Sequence, residues 1–170
     1  MVTIRPLLPT DWPSIYRIYE EGIATGMATM ATRPPDWLAW DSAYLTKGRL
    51  VAEVDGMVAG WAALSPCSSL CDYDGAAELS IYVTELERGK RVGGRLLGAL
   101  IEESESHGYW TLEAQILEGN DASIRLHESA GFRRVGVRER IGRVGNEWRN
   151  VVLLERRSTV VGVAEPPQDA

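Results

Sequence analysis

The chain has 170 residues, 45% apolar and 25% charged, which suits one folded domain with its own core and excludes disorder along its whole length. Eighteen Lys and Arg stand against 24 Asp and Glu, a formal charge of -6 that argues against nucleic acid as a main partner. No apolar stretch approaches the roughly 20 residues of a bilayer span, and Met1–Pro6 has no apolar signal region, so no membrane and a cytoplasmic location are expected.

Thr3 to Arg5 begins like a short strand ended by Pro6. Thr10 and Asp11 are capping types, Pro13 suits a first helical turn, and Ile15, Ile18 and Tyr19 recur at helical spacing up to Gly22. Gly26 to Pro35 lacks periodicity and reads as a loop, and Asp36 to Lys47 as a second helix. Asp55-Gly56, between Arg49–Val54 and Met57–Leu64, is a two-residue hairpin signal. Pro66 to Gly75 is a loop; Glu78 to Val83 then alternates, with Leu79, Ile81 and Val83 on one face and Glu78, Ser80 and Tyr82 on the other.

A basic, glycine-rich turn from Arg88 to Gly94 leads into a helix with the apolar stripe Leu96, Leu97, Leu100 and Ile101, stopped by Gly108. Thr111 to Leu117 is another strand. Asn120 or Asp121 caps a helix that runs to Ala130, with Gly131 beyond it. Val135–Ile141 and Trp148–Leu154 close the pattern around Gly145-Asn146. The order predicts a mixed sheet with helices on both faces, a single domain over residues 1–157, and a frayed tail over 158–170. Cys67 and Cys71 are too few for a disulfide framework and, with only His107 and His127 besides, make no strong metal site; two reduced thiols and no metal are expected.

The segment with most chemical content runs from Tyr82 to Leu97. A strand enters a glycine-rich turn that opens a helix, whose first-turn N–H groups are unpaired and partly positive. Gly89, Gly93 and Gly94 let an anion approach that backbone, and Arg88, Lys90, Arg91 and Arg95 put four cations within eight residues. Phosphate binding explains this reversal of charge in an acidic protein. An ordinary glycine turn with a solvated cationic face is the alternative. Neither a Walker spacing nor a dinucleotide fingerprint is present.

Arg88-Gly-Lys-Arg-Val-Gly93 resembles the pyrophosphate loop of the GNAT acetyltransferase superfamily, Arg/Gln-x-x-Gly-x-Gly/Ala, with Arg91 in place of the middle glycine. Tyr73-Asp74…Glu78-Leu-Ser-Ile-Tyr-Val83, the run Gly119-Asn-Asp-Ala-Ser-Ile-Arg-Leu-His-Glu-Ser-Ala-Gly-Phe132, and Trp148-Arg-Asn150 are similar to motifs of one subgroup, the phosphinothricin and methionine sulfone N-acetyltransferases. The match spans about residues 2 to 155. It implies an α/β GNAT fold with a mixed, mostly antiparallel sheet of about seven strands. It also implies acetyl-CoA as co-substrate, a small primary amine as acceptor, and a homodimer.

The resemblance makes Glu78 the general base for the amine, directly or through a water, and His127 the proton donor to the leaving thiolate; the alternatives are a solvent-exposed strand-end carboxylate and a helix histidine bonded to a backbone carbonyl. Asn120, Ser123 and His127 share one helix face, with Asn120 either a ligand of the pantetheine arm or only a cap. Backbone groups of Ile81, Tyr82 and Val83 are expected to hold that arm, and Arg88, Gly89, Lys90, Arg91, Val92, Gly93 and Gly94 the diphosphate. Met30 and Tyr73 fall at substrate-lining positions, whereas Trp37, Trp40 and Trp61 read as core. The subgroup's arginine three residues before the tyrosine is Leu70 here, with Ser68 and Cys71 nearby. That predicts a less anionic acceptor, or a cation supplied by Arg33 or Arg149. A non-catalytic acyl-CoA-binding domain and a transferase for peptide N-termini or lysines stay open.

Overall fold

A computed structural model describes residues 1–67 and 74–163. The elements in chain order are β1 (Val2–Pro6), α1 (Trp12–Ala24), α2 (Trp37–Ala43), β2 (Arg49–Val54), β3 (Met57–Pro66), β4 (Ala76–Val83), α3 (Val92–Ser106), β5 (Thr111–Leu117), α4 (Asp121–Ser129), β6 (Arg133–Val144) and β7 (Glu147–Arg157). They form one seven-stranded sheet in the order β1-β2-β3-β4-β5-β7-β6, antiparallel except between β4 and β5. The fold is therefore α/β with the mixed sheet that the element order predicts. Among the described residues no helix is long and apolar enough to cross a membrane.

Local chemistry explains most boundaries. Asp55 and Gly56 both have positive φ, 50° and 81°, the geometry that lets a two-residue turn follow the twist of β2 and β3. Asn120 caps α4 by accepting from the Ser123 N–H at 3.3 Å, and Gly131, at φ 90°, follows its last turn.

Other boundaries differ from the sequence reading. The second helix is shorter than Asp36–Lys47, because Asp36 is its cap, accepting from Ala39 N–H at 2.9 Å, and Tyr44 has already turned extended. Asp11 does not cap α1 with its side chain; its carboxylate is held by Arg5 at 2.8 and 2.9 Å and by Leu8 N–H. The last two strands are longer than expected and pair along most of their length. Ser158, the first residue of the predicted tail, is buried, receives Val160 and Val161 N–H groups on its hydroxyl, and donates to Glu105, while 164–170 lie outside the described residues. Trp110 lies against both Gly75 and Gly162, where an added Cβ would come within 2.1 Å and 3.0 Å of its ring.

Two cores follow from the strand alternation. Leu50, Ala52, Ala62, Leu64, Ala77, Leu79, Leu112, Ala114, Ile116, Val152 and Leu154 meet α3 and α4 on one face. Val51, Trp61 and Ala63 meet Ile15 and Ile18 of α1 and Trp40 of α2 on the other. Trp40 and Trp61 are fully buried, and Trp61 stacks on Tyr82 with centroids 4.8 Å apart. This second core draws no residue from β5, β6 or β7. Over β5 the same side of the sheet carries Thr111, Glu113 and Gln115, with Leu117 and, on β7, Val151 and Leu153 toward the far end.

The feature that positions the site is a gap. Pairing of β4 with β5 covers only Ala76↔Thr111, Ala77↔Leu112 and Glu78↔Glu113. Beyond Glu78 the strands part: β4 continues to Val83 beside β3, and β5 continues to Leu117 beside β7. The facing backbone edges of Leu79–Val83 and Ala114–Leu117 are thereby left without a strand partner.

Candidate functional site

Two cavities meet in that gap. One, of about 530 Å³, runs from the turn before α3 to the mouth between β4 and α4. The other, of about 330 Å³, lies between Glu78–Tyr82 and Ala114–Leu117. Ala28, Ile81, Tyr82, Asn120 and Ser123 line both, so the two are continuous at the C-terminal half of β4.

One wall of the larger cavity is a single stretch, residues 81–94, and the facing wall comes from the end of α1, the loop after it and α4. Arg88, Gly89, Arg91, Gly93 and Gly94 line it, together with Ile81, Tyr82 and Val83. Gly89 has φ 75°, and Arg91, the residue before α3, sits left-handed at φ 65° and ψ 9°. That conformation is why the expected residue there is glycine. Arginine at this place costs roughly 1 kcal/mol of backbone strain while projecting a cation at the helix N-terminus. Arg88 donates through Nε to the Val83 carbonyl at 3.1 Å, tying the turn to the end of β4. Lys90 and Val92 do not bring their side chains to the cavity. Lys90 pairs with Glu87 at 3.1 Å, and Val92 is buried in the core, so only their backbone is available there. The glycine cradle, the first-turn N–H groups and two arginines suit the diphosphate of a CoA thioester.

The smaller cavity carries the titratable groups. Glu78 is half-buried, and Gln115 donates through Nε2 to its Oε2 at 3.0 Å. Burial raises the Glu78 carboxyl above the usual range, against the hydrogen bond from Gln115; Glu113 pushes the same way as burial and Arg138 opposes it. Arg138 in turn donates to Gln115 Oε1 at 3.3 Å, which orients the amide with its N–H₂ toward Glu78. Ser80 accepts from the Tyr44 hydroxyl at 3.1 Å, and burial pushes that hydroxyl up to about 12.

His127 is 1% exposed and lies edge-on to Phe132. Its Nδ1 is 2.8 Å from the Ser123 carbonyl, which can only accept, so Nδ1 carries the proton in the neutral ring. Nε2 is buried without a partner, and burial lowers the ring's proton affinity. The resting histidine therefore offers an acceptor nitrogen, and it must gain a proton before it can give one.

A loop roofs the cleft. Asn120 Nδ2 donates to the Met27 carbonyl at 3.0 Å, and a Cβ on Gly119 would lie 3.1 Å from the Met27 methyl. Met30 lines the smaller cavity and occupies the space where Gly142 of β6 has no side chain. The structure thus brings together Glu78, His127, Met30, Asn120, Ser123, Ile81 and Tyr82. Tyr73, Leu70, Ser68 and Cys71 lie outside the described residues. Arg149 is held beside Met27 Sδ at 3.0 Å. It lies six residues along β7 from Glu155, which is level with Glu113 and Glu78, or roughly 20 Å at one strand rise per residue. Arg33 is exposed. Among the described residues no group of three His, Cys, Asp or Glu side chains could hold a metal.

Sequence reasoning missed Gln115 and Arg138, which reach Glu78 from two other strands. The outward polar phase of Thr111–Leu117 was readable, but its alignment beside Glu78 depends on the parallel register of β4 and β5.

Comparison with known proteins agrees with this geometry. The model of the acetyltransferase (GNAT) family matches residues 10–132. The chain is 30% identical over 159 residues to the L-methionine sulfoximine/L-methionine sulfone acetyltransferase of Pseudomonas paraeruginosa, covering 90% of this chain and 92% of that one. It is 31% identical to the phosphinothricin N-acetyltransferase of Streptomyces viridochromogenes, with 91% and 87% covered. An acetyltransferase from Salmonella typhimurium, solved with its cofactor acetyl-CoA, superposes with a TM-score of 0.88 at 30% identity over 99% of each chain.

Proposed function

Because the chain belongs to the acetyltransferase (GNAT) family and is an acetyl-CoA-dependent N-acetyltransferase, we propose that it acetylates the primary amine of a free amino acid or amino-acid analogue. The observation that carries this reading is the smaller cavity: about 330 Å³, roofed by Met30, with the desolvated Glu78 at its wall. That space suits a small amine better than a polypeptide.

The chemistry follows from proton accounting. An ammonium must lose one proton before it attacks the thioester carbonyl and a second as the amide forms, while the departing thiolate takes one back. Glu78, with a carboxyl raised by burial, is the base for the first proton, directly or through a water. Nε2 of His127 has the free lone pair to take the second and pass it to sulfur. The unpaired edge of Ile81–Val83 offers backbone groups to the pantetheine arm and the thioester carbonyl. Arg88, Gly89, Arg91, Gly93 and Gly94, with the backbone of Lys90 and Val92, would hold the diphosphate. Attack is direct, with no covalent enzyme intermediate.

Self-association is part of this reading. β6 is an edge strand of 12 residues on which Val135, Val137 and Ile141 are exposed, and Trp148 is exposed on the adjoining β7. Such an edge is ready to be covered by a second copy; light scattering at micromolar concentration should give twice the chain mass.

The test of function is a screen of free amino acids, short peptides and no acceptor, scoring thiol release from acetyl-CoA. Turnover with free amino acids is expected. Turnover confined to peptides would move the acceptor to polypeptide ends, and binding of acetyl-CoA without transfer to any amine would leave a sensing domain.

A further inference from the structure

Seven of the sixteen arginines, Arg5, Arg17, Arg49, Arg133, Arg134, Arg149 and Arg156, have a carboxylate within 4.0 Å. Arg138 has none within 4.0 Å among the described residues, although it stands on the open side of the sheet next to the smaller cavity. Its side-chain partner is the Gln115 Oε1, through a single N–H. A guanidinium has five N–H donors, so the fork keeps most of its capacity for a further acceptor.

The placement is specific. β6 changes register between Arg138 and Gly142, with Arg140 left-handed at φ 50°. The irregular turn of backbone is held: Arg140 N–H donates to Asn150 Oδ1 at 2.8 Å, and Asn150 Nδ2 donates to Glu118 at 2.8 Å. A bulge of this kind re-aims the adjoining side chains. The wall of the cleft is consequently polarised. Glu78, paired with Glu113 across β4 and β5, forms its negative end, and Arg138 stands at its rim as the positive end, joined to Glu78 through the neutral Gln115 that lines the cavity.

We propose that Arg138 binds the carboxylate of the acceptor, so that the cleft recognises the zwitterion of an α-amino acid with its ammonium on Glu78 and its carboxylate on Arg138. This rests on the amino-acid reading given above. The dimensions agree: two hydrogen bonds and the width of one amide separate the Arg138 guanidinium from the Glu78 carboxylate, roughly 9 Å at most. An α-amino acid with a charge-assisted hydrogen bond at each end spans about the same length. Arg138 also supplies the cation that the uncharged Leu70 does not.

The experiment compares L-methionine sulfone with 3-(methylsulfonyl)propylamine, the same side chain without the carboxylate, for wild type, Arg138→Gln and Arg138→Lys. Wild type is expected to favour the amino acid. Arg138→Gln should raise its KM by about 10- to 100-fold, erase the preference over the decarboxylated amine, and leave the KM of acetyl-CoA unchanged; Arg138→Lys should restore part of the preference. The pH profile gives a second readout. Glu113, Tyr44, Cys67 and Arg138 are the titratable or charged groups facing Glu78, and loss of the Arg138 charge should move the acid limb upward. Equal losses on both amines would reduce Arg138 to a support for Gln115 and overturn the proposal. Methionine sulfone turned over equally by wild type and Arg138→Gln would overturn the Arg138 assignment while the amino-acid reading stands. Wild-type turnover confined to the decarboxylated amine, or with neither amine, would remove both.

Discussion

The two ends of the cleft are made in opposite ways. At the α3 end, the wall that offers anion donors lies within one segment, Ile81 to Gly94, where glycines and a helix start present backbone N–H groups beside Arg88 and Arg91. At the Glu78 end, the working side chains come from β4, β5 and β6, up to 60 positions apart in the chain, and meet only through the registers of four successive strands, β4, β5, β7 and β6. The difference teaches where each kind of recognition is stored. A phosphate site made of backbone needs only a local turn, whereas a site that reads an amine and its substituents needs side chains placed by tertiary pairing.

Substitutions at the two ends should therefore fail differently. The largest effect is expected for Glu78→Gln, which removes the base: kcat should drop by about 10²- to 10⁴-fold with acetyl-CoA affinity nearly unchanged. Wild-type turnover in that variant, measured by thiol release, would take Glu78 out of its role. Arg88→Ala should act at the other end, raising the KM for acetyl-CoA about tenfold with little change in kcat, since one charge-assisted contact to phosphate is lost. A matching loss in kcat alone would mean the two ends are not separable.

Gln115→Leu tests the acceptor end more finely. Activity needs Glu78 ionised, so it falls as pH drops through the Glu78 pKa. Removing a hydrogen bond that lowers that pKa should move the acid limb of the kcat profile to higher pH, with a loss of only a few-fold at the optimum. His127 gives a stability counterpart. Its native proton affinity is depressed, so stability should decline as pH falls below about 6.5, where the unfolded ring begins to take a proton and the buried one does not. Urea titrations between pH 7.5 and 5 should show the decline, and His127→Phe should flatten it. The smallest effect, and one of mixed sign, is expected for Arg91→Gly. Relief of the left-handed backbone should add about 0.5–1 kcal/mol of stability while acetyl-CoA binding weakens slightly for want of a cation. Loss on both counts would show that the Arg91 side chain also has a structural job.

The same contrast explains what could be read in advance. The Asp55-Gly56 hairpin, the Asn120 cap and the turn before α3 are local chemistry, legible in a few adjacent residues. Asp11 is the counterexample: a capping type two residues before a proline, diverted by Arg5 from another element. Gln115 and Arg138 carried no local mark, because a polar residue on the outward phase of a strand looks the same whether it faces water or a reacting group. Glu78 stood out only through its resemblance to a motif; the structure adds the burial that makes it a usable base.

The three residue pairs that join β4 to β5 make the sheet two halves hinged at one end. A thioester seated in the gap is then mortar between them as well as reactant. Melting of the protein should be tied to the supply of acetyl-CoA, each tenfold excess over the dissociation constant adding about 1.4 kcal/mol, so that protein deprived of it would be the form most exposed to heat and proteases.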